Sequence, residues 1–266
     1  MIRRRRDWNP VITVVMTVAA FALAAPWLWH KYETRPDWWD PVQHYILHVG
    51  LKDTARMAGI SVLGAAMIGI LLGTVLTIQF RPTRALIRLY IEVWRGLPIL
   101  VTLFLVAYAL PRVHALESAV ELVHRRQLNL FEAATVGLIL WGSAQVAEAT
   151  RGAVESIPRA QHEAASALGF GWIGRHWYVV LPQAVRRLLP PMIGLLVNVI
   201  QNTTIAGLIG VTEVLATGQQ STERLLFGTG SSHAFAILVF VMAVFFAISF
   251  PLTRLAAFLE KRLVQV

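Results

Sequence analysis

Several polar side chains that could bind a solute interrupt an otherwise apolar stretch, residues 188–209. Amides and hydroxyls are costly in hydrocarbon unless they are hydrogen-bonded, so these groups must face a cavity or another helix. The sequence leaves two interpretations open: contact with a polar solute, or hydrogen bonds between helices. Asn198 and Thr204 fit the second role at least as well as the first. The complete set is Asn198, Gln201, Asn202, Thr203 and Thr204.

The ionisable residues favour structural roles over catalysis. Glu148 and Arg151 lie three residues apart on one predicted helical face, which favours an ion pair. None of the eight histidines falls within a predicted span, which disfavours an intramembrane enzyme that pairs Glu148 with a histidine. His44 and His48 have helical spacing, but no acidic or cysteine ligand completes a site with them, so we predict no metal.

Other function classes are disfavoured by missing motifs and by the charge distribution. A phosphate-binding G-x-x-x-x-G-K-[ST] loop is absent from the sequence, so we predict that this chain does not bind ATP. The sequence also lacks a ring-forming filter motif, which argues against a channel. The net charge of +9 comes from basic residues that flank apolar segments, a pattern typical of membrane topology and not of nucleic-acid binding.

The composition predicts an all-α integral membrane protein: 56% of residues are hydrophobic and 15% are charged. The mean hydropathy is +0.58. Apolar stretches long enough to cross a bilayer recur along the chain, and the third reaches that length if its helix begins near Tyr90. We predict about six spans, at residues 11–29, 55–80, 98–110, 131–149, 188–209 and 234–257.

The segments between the spans carry their own signals. A cleaved signal peptide is the alternative interpretation of residues 11–29, because Ala20-Phe21-Ala22 has the small-x-small form of a cleavage site. Residues 31–50 are predicted to form an external surface helix. Residues 111–130 and residues 210–233 are also predicted to be external. Residues 81–95 are predicted to be a basic, interfacial cytoplasmic helix. The Gly69-xxx-Gly73 spacing allows close helix approach, although glycine is common in membrane helices in any case.

The orientation follows from the basic residues. With the amino terminus inside, most of the 24 lysines and arginines fall in cytoplasmic segments. This count predicts that both termini and the loop at residues 151–187 are cytoplasmic. Within that loop, Pro158 suits the start of a helix and Gly169 suits the left-handed residue that ends one. The intervening alanines would let a partner surface approach closely.

The same loop resembles the EAA loop of ABC-importer permeases, with Val179 where isoleucine is usual. Three further stretches match in order over roughly residues 51–263, and they resemble the branch that imports polar amino acids. They are YIEVWRGLP at 90–98, AEATRGAVESIP at 147–158 and NTTIAGLIGVTEV at 202–214. In the family this loop docks on the ATPase. The residues that carry the match, and that are expected to couple to it, are Glu163, Ala164, Ala165, Gly169, Leu181 and Pro182.

The resemblance implies a five-helix type I ABC-importer permease core at residues 51–266. Residues 1–50 would add an N-terminal helix and an external linker. It also implies alternating access in a bacterial inner membrane, with a second permease subunit and an extracytoplasmic binding protein. ATP and Mg would be bound by a partner ATPase dimer, and this chain would carry no cofactor. Import of another small polar solute is the alternative.

The chain departs from the family at the expected substrate site. Gln201 and Asn202 stand where relatives often carry Lys-Asp, and Thr102 stands where many carry glutamine. Thr102, Gln201, Asn202 and Thr203 remain the expected substrate-binding residues. Neutral amides can hydrogen-bond a zwitterion but supply no charge. We therefore expect a different permease chain as partner, with a homodimer as the alternative.

Overall fold

The computed structural model describes residues 36–77, 80–109 and 129–263, and all regular structure within these ranges is helical. This confirms the all-α prediction. The described residues from Tyr45 onward form one compact unit, and the described residues up to His44 belong to another. The predicted helix at residues 11–29 and most of the predicted external segment at 111–130 lie outside the described residues.

Four helical runs among the described residues have the length and composition to cross a membrane. A fifth candidate consists of two helices joined by a sharp bend, so the described part contains four or five candidate spans. The predicted total of six includes residues 11–29, which are not described, and it stays a prediction. The four unbroken runs are Trp39–Val75, Leu130–Glu155, Ile173–Ile209 and Ala234–Leu263.

The first run begins earlier than predicted. Helix α1, Trp39–Tyr45, continues through a π-helical turn, Ile46–Gly50, into α2, Leu51–Val75. The predicted separation between a surface helix and a span at Ala55 is therefore wrong. The span also ends at Val75, before the predicted Phe80; Phe80 is extended, and the next helix begins at Arg81 with Pro82 in its first turn.

The predicted third span is bent. Helix α3 covers Arg81–Gly96, and α4, Ile99–Phe104, continues as a π turn, Leu105–Ala109. The axes of Arg81–Gly96 and Ile99–Ala109 differ by 107°. Pro98 explains the break, because a residue that precedes proline avoids the helical region, and Leu97 has a ψ of 133°. A straight helix that starts near Tyr90 is thus excluded.

Helix α5, Leu130–Glu155, packs along α2 at the predicted glycines. A Cβ on Gly69 would lie 2.6 Å from the carbonyl oxygen of Ser143, and one on Gly73 would lie 2.5 Å from that of Ala147. Both distances are shorter than a real Cβ contact. The prediction of close helix approach through Gly69-xxx-Gly73 is confirmed.

The second half of the chain supplies the remaining core. Helix α6 is Arg159–Ala167, α7 is Trp172–Arg175, and a π turn, His176–Val180, leads into α8, Leu181–Ala206. Helix α9, Val214–Thr229, lies in a stretch predicted only as external residues, and α10 covers Ala234–Leu263. Buried residues of α2, α4, α5 and α8 form the main core, against which residues of α10 pack.

Candidate transport and coupling sites

The predicted coupling helix is α6, and a Schellman motif ends it. The Phe170 N–H donates to the carbonyl of Ala165 at 3.1 Å, and the Gly169 N–H donates to that of Ser166 at 3.0 Å. Gly169 has a φ of +83°, which confirms the predicted left-handed residue. Pro158 immediately precedes the first helical residue. This turn directs the chain from α6 into α7.

The coupling residues of the EAA pattern divide between two faces. Ala165 is buried, whereas Glu163 and Ala164 are exposed on the surface of α6. Large apolar side chains on both sides of Gly169 are exposed as well, and exposed apolar patches of this kind mark interaction sites. We name Leu168, Ile173, Trp177 and Tyr178 the coupling patch; Leu168 and Ile173 are 78% and 75% exposed.

The coupling segment, which we define as residues 159–180, is anchored to two candidate spans. Val180, Ala184 and Leu188 pack with apolar residues from the end of α5 in one buried cluster. Arg187 Nη1 donates to the carbonyl and to the hydroxyl oxygen of Ser156, both at 2.7 Å. Leu181 and Pro182 begin α8, which continues from the segment without a break. A displacement of α6 would therefore be transmitted to α5 and α8.

A histidine pair braces α6 against the π turn. The rings of His162 and His176 are 6.3 Å apart with an edge-to-face geometry, and Arg175 Nη1 donates to Ser166 Oγ at 3.1 Å. Burial lowers the pKa of His162, and the charges of Arg175 and His176 lower it further. The neutral form of His162 is thus the one that the folded segment favours.

The predicted Glu148–Arg151 ion pair is confirmed in the carboxyl-terminal part of α5. Arg151 Nη2 lies 2.5 Å from Glu148 Oε1, and Arg151 also pairs with Glu155. Nearby, the hydroxyls of Tyr90 and Ser143 share a hydrogen bond of 2.6 Å that joins α3 to α5. Glu148 is therefore engaged in structure near the coupling segment.

The polar residues of α8 lie on different faces of the helix. Thr203 is fully buried, and its hydroxyl donates to the carbonyl of Ile200 at 2.7 Å. Thr204 likewise donates to Gln201 O at 2.7 Å. Gln201 and Asn198 are exposed on this chain, and Asn202 is half-buried. The two threonines thus satisfy their hydroxyls within α8, while the amides remain directed outward.

A cavity of about 330 Å³ lies between α5 and α8. Its polar groups come from Gln145 and Asn198, and Trp141 supplies an aromatic wall. Gly194, Asn198 and Gln201 follow one another at helical spacing, so Gln201 extends the same face of α8 beyond the cavity. The complete lining is Trp141, Gln145, Val146, Ala149, Pro191, Met192, Gly194, Leu195 and Asn198.

The residues that were expected to bind substrate therefore do not all lie at one cavity. Gln201 lies next to the cavity along α8, but Gln201, Asn202, Thr203 and Thr102 do not line it. Thr102 is fully buried in α4, and its hydroxyl has no hydrogen-bond partner among the described residues. Sequence reasoning did not identify Gln145 as a site residue, because its place with Asn198 in the lining of the cavity depends on how α5 and α8 pack.

Residues 65–265 match the family model described as "Binding-protein-dependent transport system inner membrane component". The inner membrane amino-acid ABC transporter permease protein YhdY of Escherichia coli K12 is 30% identical over 213 residues, 80% of this chain. The chain spans 55% of the length of that relative. The glutamine transport system permease protein GlnP of Escherichia coli K12 is 32% identical over 214 residues, which are 79% of this chain and 91% of GlnP.

Solved structures share the fold. A crystal structure of an amino acid ABC transporter with histidines has a TM-score of 0.69 at 22% identity, covering 86% of this chain and 100% of the other. An inward-facing MetNI methionine ABC transporter has a TM-score of 0.61 at 18% identity, covering 81% and 96%. The match to the family model extends over most of the chain, and the relatives are consistent with it. The chain belongs to the family of binding-protein-dependent transport system inner membrane components, the transmembrane permease subunits of ABC importers.

Proposed function

We propose that the chain imports polar amino acids by alternating access, as one permease subunit of a complete importer. The relatives that are named for amino acids or glutamine support this substrate class. The partners would be an ATPase dimer that binds ATP and Mg, an extracytoplasmic binding protein and a second permease subunit. Both termini would lie in the cytoplasm.

The observation that carries the proposal is the coupling patch. It lies on an ordered segment that joins two spans, and its apolar side chains are exposed although the segment is anchored to α5 and α8. Contact with an ATPase groove would remove this apolar surface from water. Glu163, Ala164 and Gly169 lie at the adjacent exposed edge of α6 and its C-terminal turn.

Co-purification tests the docking. Leu168→Glu/Ile173→Glu places two charges in the coupling patch, and we expect the ATPase to be lost from the purified complex. Phe227→Glu is a matched control, because Phe227 is 88% exposed but lies in α9, outside the coupling segment. Retention of the ATPase by the patch variant, at the level of the control, would remove this segment from the interface.

The substrate half-site would centre on Asn198 and Gln145, with Gln201, Asn202 and Thr102 nearer the external side. Asn198→Leu removes amide hydrogen bonds worth about 0.5–1.5 kcal/mol each, so KM for uptake should rise about two- to tenfold. Thr204→Val is the control, because that hydroxyl bonds its own helix. An unchanged KM for Asn198→Leu together with a raised KM for Gln201→Leu would shift the half-site toward residue 201.

The assembly test concerns the missing charges. Gln201 and Asn202 offer dipoles only, so a symmetric dimer would present no ionic contact from this stretch of α8. A different permease chain would then supply the ionic contacts, and Asn202→Ala would reduce transport only moderately. Uptake is measured in vesicles with this chain as the sole permease, together with the ATPase and the binding protein. Robust uptake there would establish that a homodimer works and that the amides suffice.

A further inference from the structure

Helix α3 has three distinct sides. Ile87 and Ile91 are buried, and they pack with Leu76, which directly follows α2, and with Ala147 of α5. Tyr90 adds the hydrogen bond to Ser143. One side of α3 is therefore fixed on the cytoplasmic end of α2 and on the cytoplasmic half of α5. The other two sides remain exposed on this chain.

The second side is apolar. Leu86, Leu89 and Val93 follow one another at intervals of three and four residues, so they form one strip along the helix. Leu86 is 69% exposed and Leu89 is 58% exposed. We name Leu86, Leu89 and Val93 the apolar strip.

The third side is basic. Arg81, Arg84, Arg88 and Arg95 are spaced by three, four and seven residues, which places them on a single stripe. Glu92 is the single acidic residue in the sequence of α3, so the helix carries a strong positive excess. The stripe lies opposite the apolar strip, and Arg81, Arg88 and Arg95 are exposed.

The placement of α3 agrees with a position along the membrane surface. Its axis makes an angle of 107° with Ile99–Ala109, the segment that enters the apolar region. An apolar strip on one side of a surface helix can insert at the headgroup boundary, while arginines on the other side reach phosphate groups. A buried protein interface is the poorer match, because interface cores are depleted of charge.

We propose that α3 is a binding site for anionic phospholipids of the cytoplasmic leaflet. Arg81, Arg84 and Arg88 contact the phosphate headgroups, and the apolar strip lies among the upper acyl chains. Each basic residue near an anionic membrane surface strengthens the attraction to that surface about fivefold. The bound lipids hold α3 at the angle that the bend at Leu97–Pro98 sets.

Lipid-specific quenching tests the proposal on the assembled transporter. The chain has no cysteine, so Leu89→Cys carries a single bimane label. The complex is placed in phosphatidylcholine vesicles that contain a small fraction of nitroxide-labelled phosphatidylglycerol or nitroxide-labelled phosphatidylcholine. We expect nitroxide-labelled phosphatidylglycerol to quench the bimane fluorescence several-fold more strongly than nitroxide-labelled phosphatidylcholine does. Salt at about 1 M, where the Debye length is about 3 Å, should reduce that preference.

Matched variants test whether the lipid preference comes from the arginines of α3 or from the positive charge of the protein as a whole. Replacement of Arg81, Arg84 and Arg88 by glutamine should abolish the preference, and replacement of the same three residues by lysine should retain it. Lys261→Gln/Arg262→Gln, which removes two exposed cations at the end of α10, should also retain it. Equal quenching by both lipids, or a preference lost only with the α10 variant, overturns the proposal. Absence of quenching by either lipid also overturns it, because a protein partner would then cover the apolar strip.

Discussion

Single glycines decide how closely the helices of this permease approach. Gly59 and Gly69 both lie in α2, but a Cβ on Gly59 would meet nothing within 4 Å, whereas one on Gly69 would collide with Val146 and with a backbone carbonyl of α5. A carbonyl within a helix cannot move aside without displacing the helix. Glycine is therefore required for close helix packing at position 69, but not at position 59 of the same helix.

Gly69→Ala should destabilise the chain by about 1–3 kcal/mol, as overpacking does in other tightly packed cores. Gly59→Ala should leave the free energy of unfolding nearly unchanged. The measurement is helicity during titration of the purified protein with a denaturing detergent. Equal midpoints for the two variants would contradict the close α2–α5 contact.

Gly169 matters because of its backbone and not because of crowding. Nothing lies within 4 Å of its Cβ position, yet its φ is +83°. Gly169→Ala should cost about 1–2 kcal/mol in the turn after α6 and should weaken ATP hydrolysis stimulated by loaded binding protein. Gly171→Ala is the matched control, because Gly171 has the same open surroundings without a positive φ. Normal coupling in Gly169→Ala would show that the turn tolerates rearrangement.

At the scale of elements, the coupling segment should respond to pH. The pKa of His162 is lowered by burial and by Arg175 and His176, so the unfolded segment binds a proton more readily. The stabilising contribution is present above the ordinary histidine pKa of about 6.5 and is lost as the pH falls below it.

Lowering the pH from about 7.5 to about 5.5 should therefore lower the protection factors of the backbone amides in residues 159–180, which are the exchange rates corrected for the intrinsic rate at each pH. His162→Gln should flatten this pH dependence. His44→Gln removes an exposed histidine outside the segment and should not. A His162→Gln profile that follows the unmodified protein would assign the pH response to other groups.

The largest structural question about the whole molecule is whether α3 and α4 complete a span. If they cross the membrane, the chain passes from one side to the other between residues 81 and 129, and every later loop changes sides accordingly. If they form a re-entrant loop, residues 83 and 232 lie on the same side. The bend of 107° is compatible with both topologies.

Cysteines at Thr83 and Ser232 separate the two topologies, because the chain has no cysteine of its own. We expect a membrane-impermeant reagent to label them from opposite sides, with Thr83 cytoplasmic, as the five-helix core requires. Labelling is measured in sealed cells and in inverted vesicles. Same-side labelling would contradict that core and would also reverse the orientation assigned to α10.

Local signals made much of the fold predictable. Long apolar stretches identified the spans of α5, α8 and α10, and Pro158 and Gly169 located α6 within two residues of its ends. These features depend on neighbouring residues alone. Helix α9 was not predicted from the sequence, because its buried face shows no apolar periodicity. That face consists of Val214, Thr217, Gly218 and Ser221.

The sequence by itself determined the membrane class, the coupling segment and the resemblance to importer permeases, since apolar length, glycine punctuation and motif spacing are written along the chain. Tertiary structure decided which polar groups face a cavity. Asn198 and Gln145 line the same cavity because α5 and α8 pack side by side, while the hydroxyl of Thr203 donates to a carbonyl of its own helix. It also decided that α3 leaves one strip and one stripe exposed, because only packing against α2 and α5 fixes which of its sides is buried.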